Sequence, residues 1–123
     1  MLPTYEKNGF VLYNGYEIHL ETPETFWIPD ENIRKNIQPG WCVKLIFNIE
    51  IFDPETNKYT YEVERMWVKV EGREGDCYFG RLDNQPFCTD AIKPGLKIYF
   101  TQEHIINFLD ENDLEMLQSG NSN

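Results

Sequence analysis

The sequence predicts an α+β fold: a strongly bent antiparallel sheet, or a small open β-barrel, of about five to six strands with two short helices. Three observations carry this. Val43, Leu45, Phe47, Ile49 and Ile51 alternate without a break, the pattern of a half-buried strand. Turn-rich stretches then separate two more strand-like runs, residues 59–70 and 77–82, as in an antiparallel meander. An apolar residue followed by Pro-Gly and a strand occurs twice, at Ile37-Gln-Pro-Gly-Trp41 and Ile92-Lys-Pro-Gly-Leu96, a tight turn feeding a core strand twice over.

Along the chain, residues 10–13 and 16–20 flank Asn14-Gly15, which predicts a hairpin closed by a type I′ turn. Residues 22–29 read as extended, because Pro23 and Pro29 resist helix, with Phe26, Trp27 and Ile28 packing down. Asp30 caps a short helix with Ile33 and Ile37 on one face, stopped by Pro39-Gly40. The central strand spans residues 42–52, and Asp53 to Lys58 is a turn-rich loop.

The return strand, 59–70, has a conflict of phase. Tyr61 and Val63 share one face, while Met66, Val68 and Val70 share the other. A β-bulge near Glu64-Arg65 would bring both sets to the core and turn Glu64, Arg65 or Trp67 toward a groove. The alternative is a strand covered on both faces. Residues 71–76 form a second turn, residues 77–82 a third strand, and Leu96, Ile98 and Phe100 the last strand. Thr101 then caps a final helix with Ile105, Phe108 and Leu109 on its apolar side. Residues 1–117 form one domain, and residues 118–123 a disordered tail.

Charge and cysteine usage limit the function. With 11 basic and 21 acidic residues the net charge is −10. Such a surface repels phosphate backbones, so nucleic acid is excluded as a partner, and a cationic protein or peptide is the natural complement. No Lys or Arg follows Lys97, so the C-terminal end is a local negative pole. Cys42, Cys77 and Cys88 are an odd, widely spaced set with no Cys-x-x-Cys pair, which argues for a reducing cytoplasm without disulfides and against a zinc site. No signal-peptide pattern opens the chain, and no apolar run reaches membrane-spanning length, so no membrane association is expected.

Residues that could carry catalysis are sparse. His19 and His104 stand apart, Ser119 and Ser122 lie in the tail, and no Gly-rich phosphate loop occurs, so no catalytic set, metal or cofactor is assigned. The candidate recognition patch is Glu64, Arg65, Trp67, Arg81, Asp83 and Asn84. It joins a Trp beside two Arg, a hot-spot composition, to a turn, Asp83-Asn-Gln-Pro86, in which Asp and Asn bond their own backbone. Should Glu62, Glu64 and Asp83 converge, paired carboxylates could serve as acid and base or bind a divalent cation; pairing of Glu64 or Asp83 with Arg65 or Arg81 is the alternative.

At Val43-Lys-Leu-Ile-Phe47, Glu64-Arg-Met-Trp-Val68, Gly80-Arg-Leu-Asp-Asn84 with Pro86, Pro94-Gly95 and Ile98-Tyr-Phe100, the chain resembles the YegJ-like family of uncharacterised bacterial proteins, a domain of unknown function. Phe26-Trp-Ile-Pro29 matches more loosely, and the similarity covers about residues 25–109. The family's acidic residue after the Pro-Gly turn is replaced here by Trp41 and Leu96. The resemblance implies a binding or accessory domain more than a metabolic enzyme. Three functions follow as expectations: protein interaction, including immunity-type inhibition of a cationic toxin; small-molecule or peptide binding in a pocket by Trp67; and a carboxylate-based hydrolase or metal-dependent enzyme using Glu64 and Asp83. Oligomeric state is open.

Overall fold

The computed structural model describes residues 2–121. The elements run α1 (Tyr5–Asn8), β1 (Phe10–Leu12), α2 (Gly15–Glu21), α3 (Glu31–Arg34), β2 (Cys42–Asp53), β3 (Lys58–Glu74), β4 (Cys77–Leu82), β5 (Lys97–Thr101), a 3₁₀ turn (Gln102–His104), β6 (Asn107–Leu109) and α4 (Glu111–Asn121). The six strands form one antiparallel sheet that curls into a half-barrel. β2 has β3 on one side; on the other, β1 takes its residues 47–49 and β6 its residues 42–44. β4 and β5 extend the sheet beyond β3.

The alternation in β2 places Val43, Leu45, Phe47 and Ile49 on the concave face, each at most 1% exposed. Met66, Val68 and Val70 of β3 and Tyr78, Leu82, Ile98 and Phe100 of β4 and β5 complete that core. Each fully buried side chain of this kind contributes about 1.5–3 kcal/mol. Ile28, Ile46 and Ile106 form a second, smaller cluster, with Tyr13, Ile18 and Phe26 packed on it. Because Ile46 alternates with Leu45 and Phe47, this cluster lies on the opposite, outer face of the sheet. It fastens α2 and the segment leading to Pro29 onto that face.

Both Pro-Gly turns form as expected. Trp41 N–H donates to Gln38 O (3.2 Å) and Leu96 N–H to Lys93 O (3.2 Å), closing four-residue turns with Pro second and Gly third. Gly40 (φ 93°) and Gly95 (φ 92°) take the left-handed conformation that this turn demands. Each glycine then donates to a strand, Gly40 to Val70 O (2.8 Å) and Gly95 to Leu82 O (2.7 Å).

Four expectations are corrected. Asn14-Gly15 opens a helix instead of closing a hairpin: Asn14 Oδ1 accepts from Glu17 N–H (2.9 Å), so β1 pairs with β2 and residues 15–21 are helical. Gly15 is there for proximity, since a Cβ would stand 2.6 Å from Ile106 Cγ2. Trp27 does not pack down, being 64% exposed. The bulge is not at Glu64-Arg65: β2 and β3 pair in unbroken register from Cys42↔Lys69 to Asp53↔Lys58. The shift falls between Val70 and Gly72, and β3 continues to Glu74 where a turn was expected. The phase conflict is resolved by exposure, because Tyr61 and Val63, each 52% exposed, sit where the β2–β3 ribbon runs past the core.

The fourth correction concerns the segment after Thr101. Only a 3₁₀ turn follows; Ile105 is extended, and residues 107–109 pair with β2 as β6. The final helix starts later, where Asp113 N–H donates to Asp110 Oδ1 (2.9 Å) and Asp110 N–H to Asp113 Oδ2 (3.0 Å), a reciprocal cap. α4 is described as far as Asn121; Ser122 and Asn123, the end of the expected tail, lie outside the described residues. No helix among the described residues is long and apolar enough to cross a membrane.

Candidate functional site

Alternation along β3 decides where the candidate residues go. Met66 points into the core at 2% exposure, so Arg65 and Trp67 point to the outer face and Glu64 to the core side. The register sets Lys44 opposite Trp67 and Ile46 opposite Arg65. The Lys44 ammonium lies over the Trp67 ring, 5.3 Å from its centroid, and the Arg65 guanidinium over the Phe26 ring at 5.5 Å. Neither cation makes an ion pair among the described residues, where the salt bridges are Lys35–Glu31 and Arg81–Glu71. Between them opens a shallow groove of about 240 Å³, with Phe26, Trp27, Lys44, Arg65 and Asn107 on its walls. The Ile28–Ile46–Ile106 cluster forms the support beneath it.

The remaining predicted residues divide. Arg81 shares the outer face, opposite Lys69, but its guanidinium is held by Glu71 Oε1 (3.0 Å) and Gly95 O (3.4 Å). Asp83 is exposed, and its N–H donates to Trp67 O (2.9 Å). Asn84 Oδ1 accepts the N–H of Trp67. Asp83 and Asn84 thus extend the ladder one step past β4 and fix the backbone of Trp67.

Glu64 is committed elsewhere. Its carboxylate accepts from Phe87 N–H (3.0 Å) and Cys88 N–H (3.1 Å). Burial alone would raise its pKa; the Cys88 thiol and the two amides outweigh that, and the net shift is downward. The partner effect on Cys88 is large: burial first, then the hydrogen bond and charge of Glu64, hold its thiol up to about 12. Glu64 therefore clasps the 83–95 loop against β3 as an ionised acceptor, and the register places it on the opposite face from Asp83. The two do not converge as an acid–base pair.

Other titratable groups are similarly occupied. His19 Nδ1 donates to Phe26 O (2.6 Å), and Thr101 N–H donates to His104 Nδ1 (2.9 Å). All three cysteines are free, with burial pushing the Cys42 and Cys77 thiols up as well. Among the described residues no group of three or more His, Cys, Asp or Glu side chains is placed to hold a metal ion.

Two wider clefts lie away from Trp67. One of about 450 Å³ runs between Arg73, Tyr78 and Gln102, and one of about 600 Å³ between the Pro39-Gly40 turn and α4. The second is walled by Asp110, Glu111 and Glu115 beside Trp41, whose ring stacks on Phe108 at 5.9 Å.

Lys44, Phe26 and Trp27 also belong to the patch, although on sequence alone Lys44 has no assigned role and Phe26 and Trp27 are assigned to packing. A lone Lys inside an apolar strand and an aromatic pair before Ile28-Pro29 were the available signals. Comparison with family models, with curated proteins and with solved structures gives no match to this chain. The resemblance to the YegJ-like family therefore rests on its motif residues alone.

Proposed function

We propose that this chain is a non-enzymatic protein-interaction module that reads an acidic, extended peptide segment on its outer sheet face. One observation carries the reading. On a chain of net charge −10, two cations without carboxylate partners among the described residues, Lys44 and Arg65, flank a groove containing Trp27, which is 64% exposed. Cation, aromatic and rigid strand together make a hot-spot composition, and the positive sign favours carboxylates of a partner. At about 240 Å³ the groove is smaller than a typical small-molecule site and suits one or two side chains of a peptide.

The test is titration of immobilised peptides of mixed Asp, Glu and aromatic content, followed by tryptophan fluorescence. Binding by the wild type, lost in a folded Lys44→Glu, Arg65→Glu variant, supports the reading. Equal binding by both, or none by either, removes it.

A second reading, inhibition of a cationic protein, rests on the carboxylate-walled cleft beside Trp41. Its test is separate: a Glu111→Lys, Glu115→Lys variant loses a cationic partner while peptide binding in the Trp27–Lys44–Arg65 groove stays intact. Retention of a cationic partner by that variant counts against it.

A further inference from the structure

The distal half of β3 has an open edge. Trp67 exchanges its N–H and C=O with Asn84 and Asp83 on the β4 side, whereas Val70 N–H donates to Trp41 O (2.8 Å) on the β2 side. Odd residues of this strand, up to the bulge, therefore aim their backbone groups toward the β4 side. β4 pairs with β3 only from Val68 onward. Tyr59, Tyr61, Val63 and Arg65 consequently present their N–H and C=O groups to an edge that no strand of the described residues covers. The side chains beside that edge are apolar and open: Tyr59 is 56% exposed, and Tyr61 and Val63 each 52%. Phe87, fully exposed, projects from the loop that Glu64 clasps at one end of the same edge.

The geometry points to a second copy of this chain as the occupant: a symmetric dimer in which β3 pairs antiparallel with β3 of its partner, centred on Tyr61 facing its own counterpart. An antiparallel two-fold contact requires a self-complementary strand, and this one has a single good register. Centring on Tyr61 sets outward-facing groups against outward-facing groups at Tyr61–Tyr61 and, twice, at Tyr59–Val63, giving six main-chain hydrogen bonds. On the other face it sets Thr60 opposite Glu62, and Lys58 opposite Glu64, whose carboxylate keeps its charge while it accepts from Phe87 and Cys88. Moving the centre to Val63 would set Glu62 opposite Glu64 twice, a repulsion between directly opposed like charges. Centring on Glu62 would set Glu62 against itself, and centring on Thr60 is compatible in charge but keeps only four main-chain bonds between outward-facing strand residues. Charge and bond count together select the Tyr61 register, and the exposed Tyr and Val side chains meet on its outer face. Long-range repulsion between two copies of −10 opposes the contact and is screened at physiological salt.

The test is sedimentation equilibrium at about 0.15 M salt. Wild type forms a concentration-dependent dimer. Tyr61→Pro removes an outward N–H without touching the pairing to β2, and is monomeric. Tyr61→Lys gives up the hydroxyl bond to Glu50 (3.0 Å) and the edge contact with the Tyr5 ring but no buried packing. It opposes two cations at the centre and is monomeric too, which covers the case in which the proline variant does not fold. Thr60→Lys places a cation opposite Glu62 twice and tightens the dimer by on the order of three- to tenfold. A wild type that stays monomeric at its highest attainable concentration overturns the proposal. So does a Tyr61→Lys variant that dimerises like wild type, and an unchanged affinity in Thr60→Lys overturns the register.

Discussion

Asn84 finishes the ladder on Trp67: its side-chain oxygen accepts the Trp67 N–H where a further β4 residue would have placed a backbone carbonyl, while Asp83 N–H reaches Trp67 O at 2.9 Å. A side chain imitating backbone is what Asn does in turns. Here it lets the strand end while its neighbour stays fixed. Asn84→Ala leaves a half-buried N–H without a partner and is expected to cost about 1–3 kcal/mol. Urea denaturation measures the loss. Amide exchange locates it, with the Trp67 amide accelerated and that of Val43, on the far side of the pairing, unchanged.

The Glu64 clasp makes a second prediction through Cys88. With the thiol held at about 12, its thiolate is scarce at neutral pH. Glu64→Ala removes the hydrogen bond and the negative charge, but not the burial, which is the largest cause. Cys88 is therefore expected to react with a disulfide reagent at least tenfold faster at about pH 8, measured in a Cys77→Ser background. An unchanged rate means that the carboxylate does not hold the thiol.

Local chemistry explains which parts of this structure were legible in the sequence. Pro39-Gly40 and Pro94-Gly95 specify their turns from within four residues, and the alternation of Val43 to Ile51 specifies its strand. Asn14-Gly15 is ambiguous at that range, since Asn serves equally as turn residue and helix cap. What decides is Ile106, ninety-one positions later, against the missing Cβ of Gly15. The Ile105–Leu109 stretch has a helical apolar pattern, yet the open edge of β2 at residues 42–44 claims it as a strand. In the site, the bulge expected at Glu64-Arg65 leaves the facing of Arg65 and Trp67 undecided, and the unbroken β2–β3 register is what puts both on the outer face. Lys44 and Trp27 needed the strand register and the packing of the Phe26 segment.

Arg34 carries a prediction about the sheet's support. Only 4% exposed, it has no carboxylate partner among the described residues and instead spreads its fork over carbonyl oxygens: Nε donates to Pro29 O (2.9 Å), and Nη1 to Gln102 O (3.4 Å) and to the Gln102 side chain. Its guanidinium also lies 5.4 Å from the Tyr16 ring centroid. Lysine keeps the charge but lacks the planar fork that serves diverging acceptors. Arg34→Lys is thus expected to destabilise by about 2–4 kcal/mol, read from the denaturation midpoint. A loss below about 0.5 kcal/mol means that the fork contributes no more than an average surface contact.

His104 links stability to pH. Its Nδ1 accepts the Thr101 N–H at 2.9 Å, so the ring proton belongs on Nε2 and the cap requires neutral imidazole. Burial lowers its pKa from the ordinary 6.5, against a smaller opposing pull from the Glu103 charge. Between the folded and unfolded values the unfolded chain binds a proton that the folded chain does not. Stability therefore falls as pH drops below about 6.5, by up to about 1.4 kcal/mol per unit, and levels off once the folded ring protonates. The slope is separated from carboxylate effects by His104→Asn, whose Oδ1 can accept the same N–H but does not titrate. Wild type should lose stability between about pH 7 and pH 5, where this variant stays nearly flat; parallel curves would place the sensitivity elsewhere.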